Sequence, residues 1–188
     1  MRDEGLTGGF ADPAIEAAHG FRAALMAMAK PGTIAEITGG TAPEPVSAAA
    51  ASLLLTLCDP ETPLYLAPGH DSAAIQDWVA FHTGAPIVAA RDARFALGRW
   101  PALLPLSDYA IGTAEYPDRS ATLIVELPSL EAAGTRLTGP GIEASAALNL
   151  PEQAAFQANA ALYPQGCDFF FTAGSTLAAL PRTTRLEA

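Results

Sequence analysis

Two stretches of the chain, ATLIVEL at 121–127 and DFFFTAG at 168–174, place branched or aromatic apolar residues at consecutive positions. Successive side chains of a strand point to opposite faces, so such runs suit strands that are covered on both sides. That requirement excludes an open sheet with one wet face and asks for a layer on either side of these strands. Only Glu126 interrupts the first run.

The flanking segments supply the layers. DPAIEAAHGFRAALMAMAKPG predicts a helix capped by Asp12, with Pro13 in its first turn, Ala14, Ala18, Phe21, Leu25 and Met28 inward, and Pro31 and Gly32 ending it. TIAEI at 33–37 predicts a short strand, and VSAAAASLLLTLC is too uniformly apolar for a surface helix. PLYLA, then HDSAAIQDWVAFHTG capped by Asp71 with Ile75, Trp78, Val79 and His82 inward, then PIVAA, form a strand, helix, strand rhythm. RFALG predicts a further strand, and WPALLPLSDYAIG, broken by prolines, a loop with a short helix. TRLTG is expected to pair antiparallel with ATLIVEL through the LPSLEAAG turn. PEQAAFQANAALYPQG predicts a helix with Pro151 in its first turn. The expected architecture is a single α/β domain over 1–188, a three-layer α/β/α arrangement on a mixed sheet, with 1–9 as a flexible start.

Composition narrows the chemistry. Twenty acidic against ten basic residues give a net charge of -10, which argues against nucleic acid and anionic lipid as partners. The N-terminus has no signal-like apolar region and no stretch is long enough to span a bilayer, so a cytoplasmic protein without a membrane partner is expected. Cys58 and Cys167 lie apart in apolar surroundings, as buried small hydrophobes do. Two cysteines cannot hold an iron–sulfur cluster or a structural zinc, and His19, His70 and His82 lack metal-binding spacing, so no metal is expected. His82, beside Trp78 on one helix face, fits a packing role. No glycine–lysine phosphate loop, GxSxG elbow or dinucleotide fingerprint is present, and no catalytic residue can be named.

Three polar stretches remain. In YPDRSAT at 116–122, Arg119 offers a planar fork for a carboxylate or phosphate, with Ser120 and Thr122 adding hydroxyls. The alternative is a local Asp118–Arg119 ion pair in an ordinary turn. In LTGPGI, Gly139 and Gly141 either expose amides that cradle an anion or simply make a tight turn. LPRTTR places Arg182 and Arg185 beside Thr183 and Thr184, facing either an acidic ligand or the protein's own carboxylates.

Together, FRAALMAMAKPGT, LLLTLCDPETPLYL, FHTGAP, YPDRSAT, LTGPGI, YPQGCDFFFTA and LAALPRTTR resemble the H subunit family of the bacterial carbon–phosphorus lyase core complex, from about Gly8 to the end. Lys30 departs from the family's more usual arginine before Pro-Gly. The resemblance implies a homodimer that joins partner subunits G, I, J and a nucleotide-binding L in organic phosphonate catabolism. That pathway forms α-D-ribose 1-methylphosphonate 5-triphosphate from ATP and methylphosphonate. It also implies a fold similar to a reduced pyridoxal-phosphate-dependent transferase. The cofactor itself is not expected: Lys30 is the one lysine, and arginine, which the family tolerates there, cannot form the imine.

Two roles are compatible with these residues. One is a structural subunit that is not catalytic by itself, dimerising and holding its partners. The other is a subunit that binds a nucleotide triphosphate or phosphonate through Arg119, Ser120, Thr122, Gly139, Gly141, Arg182 and Thr183. An independent enzyme is disfavoured, for want of a nameable nucleophile, base or metal.

Overall fold

A computed structural model describes residues 6–187. Strands β1 (Ala35–Glu36), β2 (Leu64–Leu66), β3 (Phe95–Arg99), β4 (Thr122–Glu126), β7 (Asp168–Ala173) and β8 (Thr176–Leu180) form a six-stranded sheet in the order β1-β8-β7-β4-β3-β2. The β2, β3, β4 and β7 neighbours are parallel, while β8 pairs antiparallel with both β7 and β1. The sheet is therefore mixed. A second, antiparallel sheet has the order β6-β5-β9, from β5 (Thr135–Thr138), β6 (Ala146–Leu148) and β9 (Arg185–Glu187).

Side-chain alternation along the central strands divides the interior into two cores. Leu97, Ile124, Phe170, Leu177 and Ala179 face one side, where they meet α1 (Pro13–Ala29), α2 (Ala48–Leu57) and α3 (Ala73–His82). Ala96, Leu123, Val125, Phe169, Phe171, Ala178 and Leu180 face the other, packing on α4 (Trp100–Leu103), α5 (Gln153–Ala160) and the small sheet's Leu137 and Leu148. Phe156 of α5 sits among Trp100, Phe169 and Phe171 with ring centroids 4.5 to 5.6 Å apart. Both faces of β4 and β7 are covered, as their sequences require. One outer layer is helical, and the other combines helix with the small sheet.

Several expectations need correction. TRLTG does not pair with ATLIVEL, because β4 has β3 on one edge and β7 on the other; β5 joins β6 and β9 instead. PIVAA is not a strand but a single parallel bridge, Leu64 to Ile87, on the edge of β2 opposite β3. Ser72, not Asp71, caps α3, accepting from the Ile75 amide at 3.4 Å, while Asp71 turns back to accept from the Gly69 amide at 3.1 Å. Glu152 is the N-cap of α5, so Pro151 precedes the helix. The expected flexible start at 1–9 falls partly on residues 1–5, outside the described residues, whereas Gly9 is buried and pairs with Thr41.

The largest correction concerns α1. Asp12 caps it as expected, but Ala14, Ala18, Phe21 and Leu25 point to solvent, and Met28 is only partly covered. The buried face consists of Gly20, Ala24 and Ala27. Small residues allow the helix to lie close against α2: a Cβ on Gly20 would stand 2.5 Å from the Thr56 hydroxyl. Close approach, not side-chain size, selects this face, and it leaves the bulky residues outward.

Gly141 shows a similar constraint. Its φ is +82°, and a Cβ there would lie 2.0 Å from the Ala29 carbonyl oxygen at the end of α1. Gly174 also has positive φ, +58°, but no atom within 4 Å of a Cβ. Gly141→Ala should therefore cost about 2 kcal/mol more than Gly174→Ala, the difference reporting the clash rather than left-handed strain alone. Urea denaturation of the two variants measures it, and equal losses would contradict the packing account.

Candidate functional site

The parallel strands give the sheet an amino edge and a carboxyl edge, and the sequence motifs gather at the first. YPDRSAT forms a short 3-10 turn, Pro117–Arg119, leading into β4. Ser120 is buried, and Thr122 opens β4 opposite Asp168 at the start of β7. Arg119 does not pair with Asp118; it is exposed and lies over the Tyr116 ring, 4.1 Å from its centroid.

Arg182, in the turn after β8, ties these segments together. Its Nε donates to Asp168 Oδ1 at 3.1 Å and one Nη to Asp168 Oδ2 at 2.5 Å. That same Nη donates to the Ser120 hydroxyl, and the other donates to the carbonyls of Pro117 at 2.6 Å and Pro164 at 3.5 Å. A guanidinium has five N–H groups, and all five are engaged. The Arg182 amide adds a bond to Asp168 Oδ1 at 2.8 Å. YPDRSAT, YPQGCD and LPRTTR thus converge on one ion pair, with only 11% and 22% of its side chains exposed.

Beside this clamp lies a cavity of about 370 Å³ lined by Pro140, Tyr163, Arg182, Thr183, Thr184 and Arg185 among others. Gly139 borders it through backbone proximity, since a Cβ there would stand 3.2 Å from the Thr183 carbonyl oxygen. LTGPGI and LPRTTR are therefore neighbours, joined by the β5–β9 pairing of Thr138 with Arg185. Thr184 is buried with no partner for its hydroxyl, and Arg185 is exposed. Arg119 and Thr122 do not line this cavity, and Gly141 is packed against the end of α1.

The carboxyl edge carries groups that no motif announced. Arg99, Glu126 and Thr172 stand side by side in register at the ends of β3, β4 and β7. Glu126 is buried and accepts from the Ser47 amide at the start of α2 at 2.8 Å. Burial pushes its carboxyl above the usual range, against the opposing pull of Ser47, Thr172 and Arg99. His70 follows β2 at the same edge, held below its ordinary value by burial and by Arg99, against Asp71. The legible signal was Glu126, the lone charge in a run of buried strand residues; nothing in one sequence aligned it with Arg99 or His70.

Other singled-out residues serve packing. Cys58 and Cys167 are both buried, and desolvation pushes each thiol up to about 12. His82 lies against Trp78 and Phe81, with ring centroids 5.2 and 4.9 Å away. Among the described residues no cluster of three or more His, Cys, Asp or Glu could hold a metal ion, and no helix is long and apolar enough to cross a membrane.

The Arg182–Asp168 pair is partly desolvated and shared among three loops, so Arg182→Ala or Asp168→Ala alone should cost about 3 kcal/mol, each stranding the other charge. Removing both should cost clearly less than the sum, giving a coupling of at least about 1 kcal/mol in a double-mutant cycle followed by denaturant unfolding. Additive losses would show that the two side chains act independently.

Comparison with known proteins agrees with the motifs. The family described as bacterial phosphonate metabolism protein (PhnH) matches residues 8–187. A Rhizobium meliloti (strain 1021) protein, alpha-D-ribose 1-methylphosphonate 5-triphosphate synthase subunit PhnH, is 40% identical over 190 residues, covering 96% of this chain and 95% of that protein. The chain belongs to the bacterial phosphonate metabolism protein (PhnH) family.

Proposed function

We propose that the protein serves organic phosphonate catabolism in the cytoplasm as a subunit of an α-D-ribose 1-methylphosphonate 5-triphosphate synthase. It forms a homodimer, assembles with the G, I and J subunits, and is structural rather than catalytic by itself. The observation that carries this reading is the 40% identity, over nearly the whole of both chains, to a protein named as a subunit of that synthase. The surface of α1 supports it. Ile15, Phe21 and Leu25 are each more than half exposed, and Met26 adjoins them on the side opposite Gly20, Ala24 and Ala27. These exposed apolar side chains flank Arg22 on the outward face, and apolar surface of this kind suits a covered surface.

Because these side chains make little of the protein's own core, Phe21→Asp with Leu25→Asp should leave the unfolding midpoint of the isolated protein almost unchanged. Co-purification with the other synthase subunits should fall at least tenfold, and growth on methylphosphonate as sole phosphorus source should be lost. Full assembly by a folded double variant would sink the docking role of this face.

The reading also includes a fold similar to pyridoxal-phosphate-dependent transferases, without their cofactor. An internal aldimine needs a shielded lysine, yet Lys30, the one lysine in the sequence, is exposed at the C-terminal cap of α1. Incubation with pyridoxal phosphate followed by gel filtration should leave no aldimine absorbance band with the protein. A retained band abolished by Lys30→Arg would overturn this part of the proposal.

A further inference from the structure

Ligands of open α/β sheets gather where the parallel strands end, because loops diverge there and leave a crevice. At that edge an open cavity of about 380 Å³ is lined by Gly69, His70 and Arg99, with three prolines and Ala102. It lies on the opposite edge of the sheet from the Arg182 clamp. Neither its shape nor its residues take part in the motifs that mark the family.

His70 is 1% exposed, and neither ring nitrogen has a hydrogen-bond partner. Leaving a buried polar group unpaired costs about 1–3 kcal/mol, so it calls for a reason beyond packing. Arg99 presents the complementary case. Its side chain makes no hydrogen bond or close ion pair among the described residues, and the residue is exposed at the cavity. Its charge acts on Glu126 beside it, but in a chain with ten basic residues against twenty acidic ones a guanidinium without a hydrogen bond beside an unsatisfied imidazole is a scarce pairing. Gly69 adds room: its φ is +90°, and no atom lies within 4 Å of where a Cβ would stand.

The surroundings suit an anion better than the net charge suggests. Asp71 is engaged with the Gly69 amide, and Glu126 is held by the start of α2, its carboxyl pushed toward the neutral form by burial. A neutral His70 keeps one N–H to donate.

We propose that this cavity binds a small phosphorus oxyanion, a phosphate or phosphonate group, with Arg99 as its planar fork and the His70 imidazole as a second donor. An arginine fork matches two oxygens of such a group at once, and the cavity is within the size range of small-molecule sites, about 300–1,000 Å³. The choice of phosphorus over a carboxylate rests on the family reading; the site itself rests on the geometry. Because both imidazole nitrogens are covered, occupancy requires the side chains over them to move aside.

Calorimetric titration of the full chain with inorganic phosphate, methylphosphonate, ATP and acetate tests this, beside Arg99→Ala, His70→Phe and Arg185→Ala. Arg99 and Arg185 are exposed, so both of their variants should fold, which circular dichroism checks. The expected result is binding of phosphate, methylphosphonate or ATP to the wild type, weakened at least tenfold by Arg99→Ala and left unchanged by Arg185→Ala. Which of the three binds tightest distinguishes free phosphate, a phosphonate and a nucleotide as the source of the group. A change in the His70 ring-nitrogen NMR shifts on titration, seen in the wild type but not in Arg99→Ala, would place the imidazole at the ligand without requiring His70→Phe to fold. No binding of any phosphorus probe at millimolar concentration, or binding lost in Arg185→Ala but kept in Arg99→Ala, would overturn the site. Equal, Arg99-dependent binding of acetate would overturn the phosphorus assignment. Synthase assembly is measured separately, so failure here leaves the subunit role standing.

Discussion

The structure depends on the double-sided burial of β4 and β7. Leu123, Ile124 and Val125 alternate between two cores, as do Phe169, Phe170 and Phe171 in the neighbouring strand. Burying a side chain of this size contributes about 1.5–3 kcal/mol, and only a strand covered on both faces collects that at every position. The three large helices satisfy one face. The other is satisfied by an assortment: α4, α5 and the small sheet that β5, β6 and β9 build after leaving the main sheet. Once both edges of β4 are taken by parallel partners, the later strands have no place beside it.

From this arrangement follows a difference between the two ends of the sheet. At the amino edge, a single guanidinium is saturated by Asp168, Ser120 and two carbonyls, closing three loops over the strand starts. At the carboxyl edge, the counterpart cation Arg99 stands beside Glu126 without a hydrogen bond or close ion pair, and the imidazole of His70 is left without a hydrogen bond. Polar groups of similar type therefore do different work at the two ends: a fully satisfied network fixes geometry, whereas an unsatisfied one retains capacity for a ligand.

Sequence reading succeeded where one strong periodicity decided the matter. The two buried strands, the Asp12 cap, the apolar α2 and the proline-broken segment after β3 were all legible, because each depends on local residues. Pairing was not, since TRLTG carries no mark that β4 is already flanked. The face of α1 was misread for a different reason: the helix is apolar nearly all round, and Gly20 facing Thr56 decides by proximity what hydrophobicity leaves undecided. At the site, the motifs named Ser120, Arg182, Thr183 and Gly139 in separate stretches; the fold brings them into one region but leaves Arg119, Thr122 and Gly141 off the cavity, and no motif reveals that Arg182 spends every donor internally. His70 and Arg99 lie 29 positions apart and meet only through the parallel register of β2 and β3.

A motif dense in arginine, serine and threonine invites a binding interpretation, but the same composition is what a buried loop junction needs, because carbonyls leaving a strand must find donors away from water. YPDRSAT and LPRTTR meet that need for one another. A ligand site has the reverse requirement: its donors must stay uncommitted until the ligand arrives, and in isolation that is a cost. Short, recognisable motifs then favour junctions, whose partners lie in fixed local turns, over sites assembled from the ends of separate strands. In this chain the residues easiest to recognise hold the sheet's amino edge closed, while Arg99, with an uncommitted fork beside a cavity, stands as the last residue of β3, in a stretch that sequence alone marks only as a strand.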